Sequence, residues 1–232
     1  MINEEFSYLP LSLVRLQSWL SPTFPNGAYS YSHGLEWATE AGYVHDCQSL
    51  VDWLEADLCY GSGRNEAVFF SEAYRCAVND DEVRLMRVAE VAAAFRGTSE
   101  FALESLQQAT ACLATLRQVW PDRILDFLFE VQVQPVLAVV LGARSARERI
   151  PACVALTAFV HSYVANLVIA GVRLIPLGQT DGQRTIAKLE HAVLSASAQG
   201  ICVTLDDLGS AGFMVELASI AHETQYTRLF RS

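Results

Sequence analysis

The sequence predicts an all-α protein, a single-domain bundle of about ten helices around a buried central apolar helix. Apolar residues recur at helical spacing between Pro25 and Pro121, a span without a further proline to interrupt a helix. Strand-like alternation is confined to residues 131–134, which are too few to form a sheet. Residues 151–172 contain no Asp, Glu, Lys or Arg, so a helix there belongs inside a protein or a bilayer.

The first half of the chain is predicted to be a run of helices. A short apolar period at 11–20 precedes a loop at 21–27, where two prolines and an Asn-Gly pair cannot continue a helix. Asn65, Asp80 and Thr98 can cap helices, because their side chains accept hydrogen bonds from free backbone amides. The helices predicted in this half cover residues 28–41, 49–60, 66–78, 80–94 and 98–120.

The second half is predicted to contain the central helix, a tight turn and a second long helix after it. Pro176 ends the central helix near Leu174, since proline disfavours the helical conformation in the residue before it. Gly178 allows the turn, and Thr180 with Gln183 forms a capping box for the next helix. The remaining elements predicted here are helices at 124–131, 135–141 (ended by Gly142) and 180–198, a loop at 199–212 and a short amphipathic helix at 213–221.

The central segment is long enough to cross a membrane. It also carries polar side chains, which would each need a partner at that depth in a bilayer. Ser162, Asn166 and Arg173 share one helix face. We therefore expect a core helix whose polar face hydrogen-bonds to neighbouring helices. A membrane protein built on this segment is the weaker alternative.

Charge and cysteine content narrow the class of protein. The net charge of −10 argues against nucleic-acid binding, for which a basic surface is expected. Six scattered cysteines without a Cys-x-x-Cys pair are typical of reduced thiols, and Asn3, Glu4 and Glu5 stand where a leader would be basic. We expect a cytoplasmic chain with one domain over residues 1–232, because no linker-like stretch divides it.

The sequence contains no recognisable catalytic motif. A phosphate-binding loop needs Gly-Lys-Ser/Thr, and the single Lys, Lys188, lies between Ala187 and Leu189. Gly61-Ser62-Gly63 is interpreted as a turn between helices. A Gly-x-Ser-x-Gly elbow is also missing. We expect that the chain is not an enzyme and needs no cofactor.

Three segments resemble the urease accessory protein F family, the helical scaffold proteins of urease nickel maturation. They are 20–36 (LSPTFPNGAYSYSHGLE), 170–184 (AGVRLIPLGQTDGQR) and 222–232 (HETQYTRLFRS). They extend from near the start to the last residue, so the resemblance covers the whole chain, although it is weak between Gly42 and Pro135.

The resemblance implies a non-catalytic adaptor that forms a homodimer and binds the accessory protein of type D or H. On that platform the family recruits the urease accessory GTPase and couples GTP hydrolysis to nickel insertion into apo-urease. In this reading the GTPase supplies the nucleotide and metal chemistry, and neither nucleic acid nor a membrane is a partner.

The resemblance also suggests which residues act. The tail, residues 222–232, is assigned to the D/H-type partner, because it combines Tyr and Arg, which are enriched at interface hot spots. The tail residues proposed to bind are His222, Glu223, Gln225, Tyr226, Arg228, Leu229, Phe230 and Arg231. Structural and assembly roles fall to Arg173, Pro176, Gly178, Gln179, Thr180, Asp181 and Gly182. A further partner surface is suggested at Pro25, Gly27, Ser30, His33, Gly34 and Glu36.

Two alternatives stay open at the sequence level. The tail could fold back on its own core, in which case its deletion lowers stability before it affects binding. The chain could instead be a nickel-binding carrier or small helical metalloprotein, whose ligands would come from His33, Glu36, His45, Cys47 and His222. These residues are of the right types for a metal, but only His33 and Glu36 have a helical spacing that points them the same way.

Overall fold

The structure, a computed structural model, describes residues 4–232, so Asn3 lies outside the described residues. The described part contains eleven α-helices and no strand, which confirms the all-α prediction. The helices are α1 (Glu4–Trp19), α2 (Leu35–Glu40), α3 (Cys47–Tyr60), α4 (Ser62–Val78), α5 (Glu82–Ala94), α6 (Ser99–Val119), α7 (Arg123–Glu130), α8 (Leu137–Arg147), α9 (Ala152–Leu174), α10 (Gln179–Cys202) and α11 (Phe213–His222).

Helices α4 and α8 pack against each other at the centre of the bundle. Every residue of α8 from Ala138 to Ala146 is buried. A Cβ on Gly142 of α8 would collide with the backbone oxygen of Phe70 in α4, so this glycine lets the two backbones approach closely. The prediction that Gly142 ends a helix is wrong for this reason. Phe70 in turn stacks on Phe159 of α9, with 5.0 Å between ring centroids.

Helix α9 ends at Leu174, as Pro176 predicts. Its expected burial nearly all round is wrong. It is the one helix of the described residues long and apolar enough to cross a membrane, and 39% of its most apolar 18-residue stretch is buried. One face packs against α10 and α4, whereas the opposite face, which includes Val154 and Ile169, is exposed.

The predicted helix at 28–41 is split into a short 3-10 turn, Ala28–Ser30, and α2. Between them His33 and Gly34 adopt left-handed conformations, with φ of 55° and 80°, and a helix cannot continue through such residues. Gly34 also lies against α11, where a Cβ would be 3.1 Å from the backbone nitrogen of Ser219. The break therefore seats α2 on α11, close to the C-terminal tail.

Two further helix starts differ from the sequence prediction. Helix α4 begins at Ser62, and Asn65 lies inside it, where its amide donates to the carbonyl oxygen of Gly61 at 3.3 Å. Helix α5 is capped by Asp81, not Asp80, because the side chain of Asp81 accepts from the third backbone amide of the helix. The turn between helices that was predicted at 61–63 is reduced to Gly61, because Ser62 and Gly63 already belong to α4.

Candidate functional site

The C-terminal tail lies against the N-terminal segment and the end of α9. The backbone amide of Arg231 donates to the carbonyl oxygen of Ser30 at 2.9 Å. The ring of Phe230 is 3% exposed, and the guanidinium carbon of Arg173 lies 4.3 Å from its centroid. Three segments that are distant in sequence, and that carry the family resemblance, therefore meet at one junction.

Glu36 of α2 anchors the tail through three hydrogen bonds. Its carboxylate accepts from the backbone amides of Leu229, at 2.6 Å, and Phe230, at 2.8 Å. It also pairs with Nε2 of His222 at 3.2 Å. Because Glu36 is buried, these contacts satisfy a carboxylate and two amides that would otherwise be desolvated without partners.

Glu100 of α6 holds the other side of the same histidine. Nδ1 of His222 lies 2.8 Å from one carboxylate oxygen, and Arg228 donates to the other at 3.0 Å. Burial raises the pKa of Glu100, and the hydrogen bond and charges of His222 and Arg228 work against that rise. The imidazole thus links α2, α6 and the end of α11.

Glu104, one turn further along α6, fixes the last residue. The hydroxyl of Ser232 donates to its carboxylate at 2.7 Å, and Nδ1 of His33 lies 3.3 Å from the same oxygen. Burial would raise the pKa of Glu104, but the neighbouring imidazole and Ser232 lower it overall. Burial would lower the pKa of His33, but the carboxylates of Glu104, Asp57 and Glu66 raise it overall. The geometry and charge favour an ion pair between His33 and Glu104.

His33 also contacts Ser62, and the three residues Ser62, His33 and Glu104 have the order of a hydrolytic triad. The hydroxyl of Ser62 donates to Asp57 at 2.8 Å, and His33 Nε2 lies 2.6 Å from the same hydroxyl. A hydroxyl has one proton to donate, so Nε2 of His33 must be the donor to Ser62. A general base has to accept that proton, and this histidine is arranged to give one. In this arrangement Ser62 does not donate its proton to His33.

Part of the tail and of α11 is exposed. Tyr226 is 103% exposed and Leu229 58%, although neighbouring residues of the tail are buried. Helix α11 buries one side on α2 and α6 and exposes an apolar side that we call the α11 face. The α11 face consists of Phe213, Met214, Leu217 and Ile220. The tail therefore divides into a buried part, including His222 and Phe230, and an exposed part with Tyr226.

The predicted partner surface in the N-terminal segment divides in the same way. Pro25 and Gly27 are exposed, and Ser30 is half-buried. The remaining predicted residues, His33, Gly34 and Glu36, are buried. These last three residues contact α6, α11 and the tail inside the chain.

The N-cap of α10 lies two residues earlier than predicted. Gly178 is the N-cap, so the capping box with Thr180 at the cap is wrong. Asp181 takes the reciprocal role instead, since its carboxylate accepts from the amide of Gly178 at 3.4 Å. Gly182 lies against Val172 of α9 and leaves no room for a side chain. Pro176, Gly178, Gln179 and Thr180 are exposed.

Two polar side chains of the face predicted on α9 form hydrogen bonds to neighbouring segments of the chain. Ser162 donates to the carbonyl oxygen of Leu20 at 3.2 Å, and Arg173 donates to that of Tyr29 at 2.8 Å. Asn166 lines a cavity beside His33. Ser162 and Arg173 therefore have separate partners, which do not depend on Asn166.

Of the five residues proposed as metal ligands, the structure brings only Glu36 and His222 into contact with each other. His45 is exposed and lies 3.2 Å from the carbonyl oxygen of Gly42, whereas Cys47 contacts Thr185. His33 and Glu36 contact different partners, as described above. Across the described residues, no group of three or more His, Cys, Asp and Glu side chains is placed to share a metal ion.

Sequence reasoning missed the carboxylates on which the junction depends. Glu100 and Glu104 stand four residues apart on α6, which places them on one helix face. Their separation is a weak signal, since most such pairs are solvated. Asp57 gave a weak signal too, as an acid on the otherwise apolar end of α3. Only the fold shows that all three are buried or half-buried beside histidine.

Comparison with known proteins places this chain among urease accessory proteins. The family model described as UreF matches residues 44–190. A protein of Rhodopseudomonas palustris (strain BisB5), named urease accessory protein UreF, is 49% identical over 222 residues, which cover 95% of this chain and 91% of that protein. A protein of the same name from Bradyrhizobium diazoefficiens is 46% identical and is covered to 92% of its length.

Proposed function

This chain belongs to the UreF family of urease accessory proteins, and from that premise we propose that it is a non-catalytic adaptor in the maturation of nickel urease. In this role it binds the D/H-type accessory protein and recruits the accessory GTPase. GTP hydrolysis by that partner is then coupled to nickel insertion into apo-urease. The adaptor works as a homodimer in the cytoplasm.

The exposed apolar surface at the C-terminus carries this proposal. The α11 face leads directly into the tail, where Tyr226 projects into solvent. Isolated apolar residues are common on surfaces, but a contiguous set next to an exposed aromatic is typical of a protein interface. We assign this surface to the D/H-type partner. The tail next to this surface is held in place, because Glu36 and Glu100 bind His222 from its two sides.

The acid–base network also supports a non-catalytic role. Ser62, the residue that most resembles a nucleophile, donates its proton to Asp57, and His33 lies on the accepting side of the same hydroxyl. The adaptor would position its partner proteins, and the GTPase would carry out GTP hydrolysis.

A pull-down and a metal titration test this function together. The full chain should retain the D/H-type protein and, through that complex, the GTPase. Equilibrium dialysis of the isolated chain with nickel should show no tight stoichiometric site. Failure to retain the D/H-type protein, or tight nickel binding by the chain alone, would contradict the adaptor role.

A further inference from the structure

A cavity of about 260 Å³ lies beside the α11 face, between α11, the first half of α4 and the loop that joins α5 to α6. Its wall includes three phenyl rings, those of Phe69, Phe95 and Phe101, and two carboxylates, those of Glu66 and Glu216. We call it the Glu216 cavity. Pockets for drug-sized ligands usually measure about 300–1,000 Å³, so this smaller cavity is better matched to a single long side chain.

Glu216 carries a charge that the chain itself does not neutralise. The hydroxyl of Ser210 donates to one of its carboxylate oxygens at 2.7 Å, and across residues 4–232 no Arg, Lys or His forms an ion pair with it. The other acid of the wall, Glu66, is already paired with Arg96. Glu216 is half-buried, so its second carboxylate oxygen can accept from a group that enters the cavity.

The charges in and next to the wall are negative on balance. Asp57 accepts from Ser62 of the wall, and Glu104 lies against His33 of the wall. Together with Glu66 and Glu216 they make four carboxylates, which outnumber the two cations Arg96 and His33. Excess negative charge attracts a cation, and the faces of phenyl rings attract one as well.

The Glu216 cavity also borders the surface that we assign to the D/H-type partner. Glu216 lies three residues after Phe213 and four before Ile220, so it is next to the α11 face on the same helix. Phe95, in the wall formed by the α5–α6 loop, is 39% exposed. A partner that covers the α11 face would therefore also cover this cavity.

We propose that the D/H-type partner inserts one basic side chain, a Lys or an Arg, into the Glu216 cavity, where it pairs with Glu216 between the phenyl rings. The inference rests on the proposed function for the partner and adds the chemistry by which the partner is recognised. An apolar or acidic side chain at that point would leave the carboxylate desolvated without a partner, which is costly. The pairing therefore contributes to specificity and fixes how the partner lies on α11.

Two substitutions at one position test the pairing, with binding of the D/H-type protein to the full chain measured by calorimetry. Glu216→Gln should weaken binding about tenfold or more, because it removes a hydrogen bond between two charged groups. Its amide oxygen can still accept from Ser210, so the melting temperature should not change. Glu216→Lys should weaken binding further, because it sets a like charge against the entering cation. Glu190→Gln, at an exposed glutamate of α10, is the matched control and should bind like the wild type.

Phe95→Leu tests the aromatic wall separately. Leucine keeps an apolar side chain but removes the ring that would face the cation, so binding should weaken several-fold. Phe129→Leu, at an exposed phenylalanine of α7, is the control and should bind like the wild type.

The order of affinities decides the outcome. Wild-type affinity in Glu216→Gln, or a Glu216→Lys variant that binds as well as Glu216→Gln or better, would overturn the inference, because the occupant would not be a cation. A lower melting temperature in Glu216→Gln would assign Glu216 to folding and would overturn it too. In each of these cases binding by the wild-type chain leaves the adaptor role standing, whereas a wild-type chain that does not bind the D/H-type protein would overturn both.

Discussion

Glu36 and His222 are 186 residues apart in the chain, and their side chains lie 3.2 Å from each other in the fold. The same carboxylate accepts the backbone amides of Leu229 and Phe230, so α2, α11 and the tail are joined at one buried point. The tail is therefore a part of the folded core and also presents exposed residues. Substitutions of the buried tail residues should therefore lower stability, whereas substitutions of the exposed tail residues should weaken binding.

Deletion of residues 223–232 should lower the melting temperature. The deletion removes Phe230 from the core. It also removes hydrogen-bond donors from the carboxylates of Glu36 and Glu104. Loss of a buried phenylalanine alone costs about 3–5 kcal/mol. Thermal melts followed by circular dichroism measure the effect, with Tyr226→Ala as the control that should melt like the wild type. An unchanged melt of the truncated chain would mean that the tail does not contribute to the core.

Glu36→Gln should destabilise the protein without changing its shape. An amide presents one oxygen where the carboxylate presents two, so one of its three donors loses its acceptor. A buried group left unpaired costs about 1–3 kcal/mol. Denaturant unfolding measures the loss. Glu55→Gln on α3 is the control, because Glu55 is exposed and its substitution should have little effect.

The contact between His33 and Glu104 should make stability depend on pH. The pKa of His33 is raised in the folded protein. Its contribution to the free energy of unfolding is therefore complete below the pKa of about 6.5 in the unfolded chain, and it is lost as the pH rises through the folded pKa. The pKa of Glu104 is lowered in the folded protein. Its contribution to the free energy of unfolding is therefore present above the pKa of about 4.3 in the unfolded chain, and it is lost as the pH falls through the folded pKa.

The stabilisation of the wild type relative to His33→Gln should therefore be largest between about pH 5 and 6. It should shrink as the pH rises through the folded pKa of His33, which the carboxylates of Glu104, Asp57 and Glu66 raise. Unfolding curves at a series of pH values measure the difference. A difference that grows with pH would exclude the ion pair.

Gly61→Ala should destabilise the turn between α3 and α4. A Cβ at this position would collide with the carboxylate of Asp57, which accepts from the amides of Ser62 and Gly63 at the start of α4. We expect a loss of about 1–3 kcal/mol from the forced shift. Gly209→Ala is the matched control, because no atom lies within 4 Å of its new methyl group. Equal melts for the two variants would contradict this role of Asp57.

Features that depend on neighbours in the sequence were predictable. The end of α9 before Pro176 follows from the geometry of proline, and the cap of α6 by Thr98 follows from its hydroxyl, which accepts from the amide of Phe101 at 3.1 Å. The all-α class follows in the same way from helical periodicity. Each of these signals lies within a few residues of the feature that it predicts.

Features that depend on distant residues were not predictable. The left-handed break at His33 and Gly34 exists because α2 must reach α11, far away in the chain. The burial of Glu100 and Glu104 depends on the tail that closes over them. The hydropathy of α9 could not reveal that one of its faces remains uncovered, because an apolar residue has the same hydropathy whether it is buried or exposed.

The affinity of this chain for the D/H-type accessory protein, measured by calorimetry, tests the central claim most directly. Tyr226→Ala and Leu217→Ala remove exposed side chains, so each should weaken binding by about 1–4 kcal/mol with an unchanged melting temperature. Phe129→Ala, which truncates an exposed aromatic on α7, should bind like the wild type. Wild-type affinity in the Tyr226 and Leu217 variants, or equal weakening by Phe129→Ala, would contradict the assignment of the tail and the α11 face to this partner.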